Sequence, residues 1–426
     1  MTSNTPSKRA YIASPTESEL TIRGKRHPNL ARYLSSRDWC VEYISSNFSH
    51  AEKRLFTDEE HSRVARGLPY RLLLLKVGAY SRNLSLRRIL WNQLFAVKCY
   101  RHLSGVLRKG DVLIVPSRPP ELIYAAARLR RKSGCRVLLD IRDIWPDALS
   151  GSTQGARRIF GWYCDLFLKR AVMYCDAYVH VAPSFVPWLK RYAPQAQSHF
   201  IPLGFDEARW RGAGQCPQPL QLKPLRLVYC GTLTDQFNIM PVLEAMRERR
   251  GRFNLTLIGD NGSGERYKQV TAFVSAAGLS AEVTNLGLLP PAELVAELPR
   301  HHVSVVPMVS GALPNKVFDS MAVGIPMLSL GRGDSASLVQ QHDIGWTSSF
   351  DPQAVGAVLD GITCAGLIEK SANVLKCRPA YGSQALLGQF AAVLAKVWRA
   401  DEADGNEPAD DGPAVSVPLS SNLASD

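Results

Sequence analysis

From Tyr11 almost to the end of the chain, short runs of β-branched and aliphatic residues alternate with helix-length segments. Parallel strands joined by crossover helices produce that pattern, so the chain reads as α/β with parallel sheets. A first series predicts strands at 11–14, 40–45, 72–77, 112–116, 136–141, 177–181 and 198–201. Helices over 29–35, 86–107, 121–132, 156–174 and 185–192 separate most of them. A second predicts strands at 225–230, 254–259, 282–286, 303–307, 326–330 and 345–348, with helices at 239–249, 265–277, 291–298, 314–323, 335–341, 352–359 and 381–400. Between the series, 204–223 is rich in Gly, Pro and Gln without apolar periodicity and reads as a linker. With 426 residues, two domains are expected, 1–203 and 224–380.

Composition narrows the class. Hydrophobic residues at 46% and charged residues at 21% exclude a wholly disordered, collagenous or coiled-coil chain. No apolar run approaches the ~18–20 residues of a membrane-spanning helix. The apolar stretch Tyr11-Ile12-Ala13 is too short for a secretory signal, so a cytoplasmic protein is expected. Nine scattered cysteines without a CxxC pair suit neither a disulfide framework nor a zinc site. Most sit in apolar segments and read as small buried hydrophobes.

Charge is unevenly spread. The net charge is +13, but residues 401–426 hold seven acids and no Lys or Arg, and read as an acidic disordered tail. Residues 61–109 hold eleven Lys or Arg and no acid, interleaved with Leu72 to Leu75, Tyr80, Leu84, Ile89, Leu90, Trp91, Leu94, Phe95 and Tyr100. Such a mixture suits an anionic membrane surface. It also suits an ordinary helix with a solvated face. Nucleic-acid binding ranks below both, because no recognition motif accompanies the charge, and no nucleic-acid partner is expected.

Ligands of open α/β sheets bind at the carboxyl ends of strands, which directs attention to the second series. Gly231-Thr232-Leu233 follows one strand there, and Gly259-Asp260-Asn261-Gly262-Ser263-Gly264 follows another and opens a helix. Such glycines let a backbone approach phosphate, although each stretch also reads as a plain tight turn. More informative is 307–326, where the loop Ser310-Gly311-Ala312 leads into a helix begun by Pro314 and ended by Gly324. Lys316 and Asp319, three apart, share one face of that helix. Lys316 could neutralise a diphosphate while Asp319 accepts hydrogen bonds from a ribose; the plainer reading is a surface Lys-Asp pair.

The blocks 314–326 (PNKVFDSMAVGIP), 229–233 (YCGTL), 257–262 (LIGDNG) and 140–147 (DIRDIWPD), with a weaker echo at 45–50, resemble the retaining glycosyltransferases of the two-Rossmann-domain GT-B fold, above all the family-4 members that build bacterial surface polysaccharides. The resemblance covers most of 10–400. It implies two Rossmann-like domains across a cleft, the first taking a lipid-linked or oligosaccharide acceptor and the second a nucleotide-sugar donor, with the helix 381–400 crossing back onto the first. It implies that Lys316 contacts the donor phosphates and Asp319 the ribose, that Gly311, Ala312 and Leu313 hold sugar or phosphate, and that Asn315 and Val317 belong to the same block. Gly231 and Thr232 would line the diphosphate, and Asp260 and Asn261 the base. Arg142 and Asp143 occupy the place where many relatives have a His-Asp pair near the transferred sugar, which makes Asp143 a candidate to orient or deprotonate the acceptor hydroxyl, and Arg142 a candidate for phosphate or sugar. Asp140 and Asp147 are weaker candidates, and capping of the strand end is an equally simple role for this loop.

Two positions depart from the pattern. Gly311 stands where many relatives carry the first of two glutamates, and no cation follows the Gly231 turn before Arg247. The leading expectation is a hexose-type transferase, peripheral on the inner face of the cell membrane, that needs no metal cofactor. A catalytically inactive or regulatory relative that binds nucleotide-sugar at the membrane is the alternative, and a nucleotide-sugar 2-epimerase a third reading. His180, in an apolar strand, reads as a core residue.

Overall fold

A computed structural model describes residues 8–21, 24–82, 85–148, 154–213, 222–259, 262, 264–309 and 311–403. Asp260, Asn261, Ser310 and the expected tail from 404 onward lie outside the described residues.

The first sheet is made of β1 (Arg9–Ala13), β2 (Cys40–Ser46), β5 (Arg71–Leu75), β6 (Val112–Pro116), β7 (Arg136–Ile141), β8 (Ala177–His180) and β9 (Ser198–Phe200), with β3 (Phe48–Ser49) and β4 (Arg54–Leu55) forming a small hairpin beside it. Its order is β5-β2-β1-β6-β7-β8-β9, and its strands pair in parallel. The second sheet contains β10 (Leu225–Cys230), β11 (Phe253–Ile258), β12 (Val283–Gly287), β13 (Val303–Val306), β14 (Met327–Leu330) and β15 (Gly345–Ser348), ordered β12-β11-β10-β13-β14-β15 and also parallel. Strand order reverses direction at β1/β6 in one sheet and at β10/β13 in the other. The crevices at those switch points are where doubly wound sheets hold ligands.

Three elements were not anticipated: the hairpin β3–β4, the helix Asp58–Ala65 and the helix Cys364–Cys377. Asp58–Ala65 starts with a capping box in which the Thr57 hydroxyl accepts from the Glu60 N–H and the Glu60 carboxylate accepts from the Thr57 N–H.

The last helix, Ser383–Ala403, belongs to the first domain's packing. Leu386, Leu387, Phe390, Val393, Leu394 and Val397 join Ala10, Ile12, Val112, Leu138 and Val179 in one buried cluster. The segment read as a linker is partly core as well, since Phe205 and Trp210 are buried in the second domain. Phe205 pairs with the start of the returning chain: its N–H donates to the Tyr381 carbonyl (3.1 Å) and its carbonyl accepts from the Ser383 N–H (2.9 Å). Gly204 has φ +66°, and a Cβ there would meet Leu386 Cδ1 at 2.3 Å and the Tyr381 carbonyl oxygen at 2.5 Å. The two chain crossings between domains therefore run side by side, too close for any side chain at 204.

The basic segment divides by helical period. In the helix Leu86–Val106, Arg88, Trp91, Phe95, Cys99 and Leu103 are buried, while Leu86, Leu90, Leu94 and Val97 are exposed. Tyr80 and Leu72 are also buried, so the apolar surface here is aliphatic and narrower than the composition implied. Ile159 and Trp162 are likewise exposed on the helix Gln154–Leu168, which is tied to the first helix by Gln93 donating to the Tyr163 hydroxyl (3.1 Å). No helix among the described residues is long and apolar enough to cross a membrane.

Candidate functional site

At the carboxyl end of β10 the chain turns at Gly231 (φ +143°) and Gly259 (φ +104°) follows β11. A Cβ on Gly259 would lie 3.1 Å from the Gly231 nitrogen, and one on Gly231 would lie 3.1 Å from Lys316 Nζ. Bare backbone therefore covers the Lys316 ammonium. That lysine, in the first turn of the helix Asn315–Ala322, is only 6% exposed. Its Nζ sits 3.5 Å from the Phe237 ring centre and 4.0 Å from the Tyr229 ring centre. No hydrogen-bond partner reaches it among the described residues, and burial pulls its pKa down to about 7. A cation held so dry and unpaired is poised for an anion.

Asp319, one turn on, is pushed up to about 6 by burial, against the pull of Arg209 and then Lys316. Arg209 comes from the connecting segment and also acts on the Cys230 thiol. The sequence reading passed over it, because it lies far along the chain in a stretch without periodicity. Thr232 is exposed and its carbonyl accepts from the Tyr229 hydroxyl (2.8 Å); Asn315 is exposed at the helix start. The side chains of Val317 and Leu313 lie in the second core, which leaves their backbone to face the loop, and the Val317 N–H donates to the Pro314 carbonyl (3.1 Å). Helical period turns Val317 away from the face that carries Lys316.

Gly311 and Ala312 meet the first domain. Ala312 packs on its core, and a Cβ on Gly311 would be 3.3 Å from Ser184 Cβ. The Gly311 carbonyl accepts from the Asp334 N–H (2.9 Å), and Asp334 takes hydrogen bonds from the Ser184 hydroxyl (2.6 Å) and N–H (3.1 Å). Burial raises the Asp334 pKa while both Ser184 bonds oppose it.

On the first sheet, Arg142 and Asp143 follow β7 and are held by Ser117, whose hydroxyl oxygen accepts from both their N–H groups (3.2 and 3.1 Å). Their side chains part company. Arg142 ion-pairs with the buried Glu17, which also faces His27 (3.7 Å), whereas Asp143 pairs with Arg118 (2.7 Å). Asp140 is wholly buried between Arg26 (3.0 Å) and His27 (2.9 Å), and these partners hold its carboxyl well below the usual carboxylate range despite burial. Asp147 pairs with Arg191 (2.8 Å) at the surface. Both are thus occupied structurally. His180 is buried and bonded to the Ala182 carbonyl oxygen (2.9 Å).

Residues 224–362 match the family described as "Glycosyl transferases group 1". The amylovoran biosynthesis glycosyltransferase AmsK of Erwinia amylovora is 26% identical over 147 residues, which span 32% of this chain and 35% of that protein. Among solved structures, sucrose-phosphate synthase from Thermosynechococcus elongatus superposes with a TM-score of 0.71 at 15% identity, covering 92% of this chain and 100% of that one. Anabaena HepE in complex with UDP and glucose gives 0.62 at 11% identity, covering 91% and 99%. The two parallel-sheet domains are thus those of the GT-B fold.

Proposed function

We propose that this chain is a retaining, family-4-like glycosyltransferase that moves a sugar from a nucleotide diphosphate to a lipid-linked or oligosaccharide acceptor in bacterial surface polysaccharide synthesis. The observation that carries this reading is the buried ammonium of Lys316, unpaired between two aromatic rings beneath a glycine turn at the switch point of the second sheet. In this reading a donor diphosphate lies over Gly231 and Thr232 and receives the Lys316 charge. Asp319 accepts from the ribose diol, and Asp260 and Asn261 border the base.

When the sugar–phosphate bond breaks, negative charge builds on the departing diphosphate, and Lys316 opposes it from a site that water has already left. This needs no bound metal, because a fixed cation supplies the counter-charge. Asp143, at the facing end of the first sheet, orients the acceptor hydroxyl and takes its proton; Arg142, bound back to Glu17, stiffens that loop. That HepE was solved with UDP and glucose, and that AmsK is named a glycosyltransferase of amylovoran biosynthesis, support the substrate class. The exposed aliphatic residues Leu86, Leu90, Leu94 and Val97, on a helix that also exposes Arg87 and Arg101, support a peripheral place on the inner face of the cell membrane.

A regulatory nucleotide-sugar-binding relative is the second reading, favoured by Gly311, which has no side chain to offer and whose carbonyl is already bonded to Asp334. A mass-spectrometric screen against UDP-, GDP- and dTDP-sugars with membrane-extract acceptors separates the two. Turnover lost in Lys316→Ala and Asp319→Ala supports the transferase; binding without turnover supports the relative; no binding removes the donor site.

A further inference from the structure

Asp319 shares the helix Asn315–Ala322 with Lys316, yet the charge that acts on it most strongly comes from outside that helix. It is Arg209, on the crossing between the domains. That crossing is a fixed turn. The Asp206 carboxylate accepts from the Ala208 N–H (3.0 Å), the Trp210 N–H donates to the Asp206 carbonyl (3.3 Å), and the Ala213 N–H donates to the Trp210 carbonyl (3.1 Å). The Glu207 carboxylate accepts from the Ser383 hydroxyl and from the Gln384 N–H (3.1 Å), which ties the turn to the start of the last helix. Trp210 is 4% exposed and shares a buried cluster with Leu313, Val317 and Phe318, and Cys230 at the end of β10 packs on the same cluster. The Arg209 guanidinium carbon lies 5.5 Å from the Trp210 ring centre. An anchored neighbour therefore carries Arg209 to the helix that bears Asp319.

Three groups face the Asp319 carboxyl: Arg209 from the crossing, Lys316 from its own helix and the Cys230 thiol from β10. The thiol is neutral, because burial pushes it up to about 12. Burial favours the protonated carboxyl, and Arg209 opposes this ahead of Lys316. Lys316 is the poorer partner for that task, since burial pulls its own pKa down to about 7 and a donor diphosphate claims its charge. A ribose diol brings two O–H donors. A carboxylate can accept both, whereas a protonated carboxyl has one oxygen occupied by its own hydrogen. Asp319 thus holds a diol only while it is ionised.

We propose that Arg209 is a positioning residue for the nucleotide: from the crossing between the domains it keeps the Asp319 carboxylate charged and available to both hydroxyls of the donor ribose. This rests on the reading of Asp319 as the group that accepts from the ribose. It also narrows the donor class, because a 2′-deoxy nucleotide such as that of a dTDP-sugar forfeits one of the two hydrogen bonds. The donor is then a ribonucleoside diphosphate sugar.

The test is calorimetric titration of the full chain with UDP and GDP, each beside its 2′-deoxy counterpart, at about pH 6.5 and about pH 8.5, in the wild type, Arg209→Gln, Arg209→Lys and Asp319→Asn. The ratio of ribo to deoxy affinity cancels the diphosphate contacts, and matching melting curves certify the fold of the variants. In the wild type the ratio is expected to be about tenfold. Arg209→Gln should lose about threefold or more of it at the lower pH and regain it at the higher, where the carboxyl ionises unaided. Arg209→Lys, which keeps the charge, should follow the wild type, and Asp319→Asn should show no preference at either pH. Wild-type ratios in Arg209→Gln, a loss that persists at the higher pH, or an equal loss in Arg209→Lys would each overturn the role of Arg209 and leave the donor site standing. A preference that survives in Asp319→Asn would take Asp319 away from the ribose, and failure of the wild type to bind either UDP or GDP would remove the donor site itself; each overturns the proposal together with the reading beneath it.

Discussion

The Asp334 carboxylate, carried by the second domain, accepts hydrogen bonds from both the hydroxyl (2.6 Å) and the N–H (3.1 Å) of Ser184 in the first. Asp334 opens the helix Asp334–Gln341, and its own N–H reaches the Gly311 carbonyl. One residue therefore links the Gly311 loop of one domain to a loop of the other, and its hydrogen bonds tie the two domains together.

Charge-assisted bonds of this partly exposed kind are worth about 1–2 kcal/mol. Asp334→Ala should therefore shift the nucleotide-free protein toward open forms by roughly tenfold. Small-angle scattering is expected to give a larger radius of gyration for the variant, and superimposable curves would dispose of this tie.

Lys316 makes donor binding a proton-linked event. Its folded pKa of about 7 lies below the ordinary lysine value, so near pH 8 it is mostly neutral in the free protein. An arriving diphosphate favours the ammonium, and binding should draw close to one proton from buffer at that pH. Calorimetry in buffers of different ionisation enthalpy reads this directly, and Lys316→Met should abolish it. By the same linkage, Lys316 weakens the ligand-free fold below about pH 7, and that penalty fades as pH rises toward the unfolded value near 10.5.

Gly204 tolerates no side chain. Its positive φ and the 2.3 and 2.5 Å approaches of Leu386 and the Tyr381 carbonyl oxygen predict that Gly204→Ala costs about 2–4 kcal/mol. A melting temperature lower by roughly 5–10 °C is expected. An unchanged melt would mean that the paired crossings yield easily.

The exposed face of Leu86–Val106 gives a membrane test that leaves the core untouched. Wild-type protein should float with vesicles rich in anionic lipid, and Leu90→Glu with Leu94→Glu should stay at the bottom of the gradient with an unaltered melting curve. Equal flotation of both proteins would remove the surface from consideration.

Much of the scaffold was legible because it is local. Parallel strands buried on both faces appear as apolar runs such as Val112–Pro116 and Val303–Val306, and the glycines and prolines that punctuate them mark the turns. Lys316 and Asp319 could be placed on one helical face from their spacing alone. What stayed hidden depends on contacts between distant segments. The surroundings that make Lys316 dry come from Tyr229 and Phe237, almost ninety and eighty positions earlier. Asp334 could not be tied to Ser184 by any pattern. The basic segment misled in one respect, since charge count alone does not sort Arg88, folded inward over Trp145, from Arg87 beside it.

The returning helix Ser383–Ala403 also bears on how the chain is made. Because Leu386, Phe390, Leu394 and Val397 complete the core that Ala10 and Ile12 begin, the first domain can finish folding only after the second has been synthesised. Residues of the second domain leave the ribosome as an uninterrupted unit and can fold alone. The first must wait, its sheet face uncovered, until the returning helix has been made, which gives chaperones reason to hold it meanwhile.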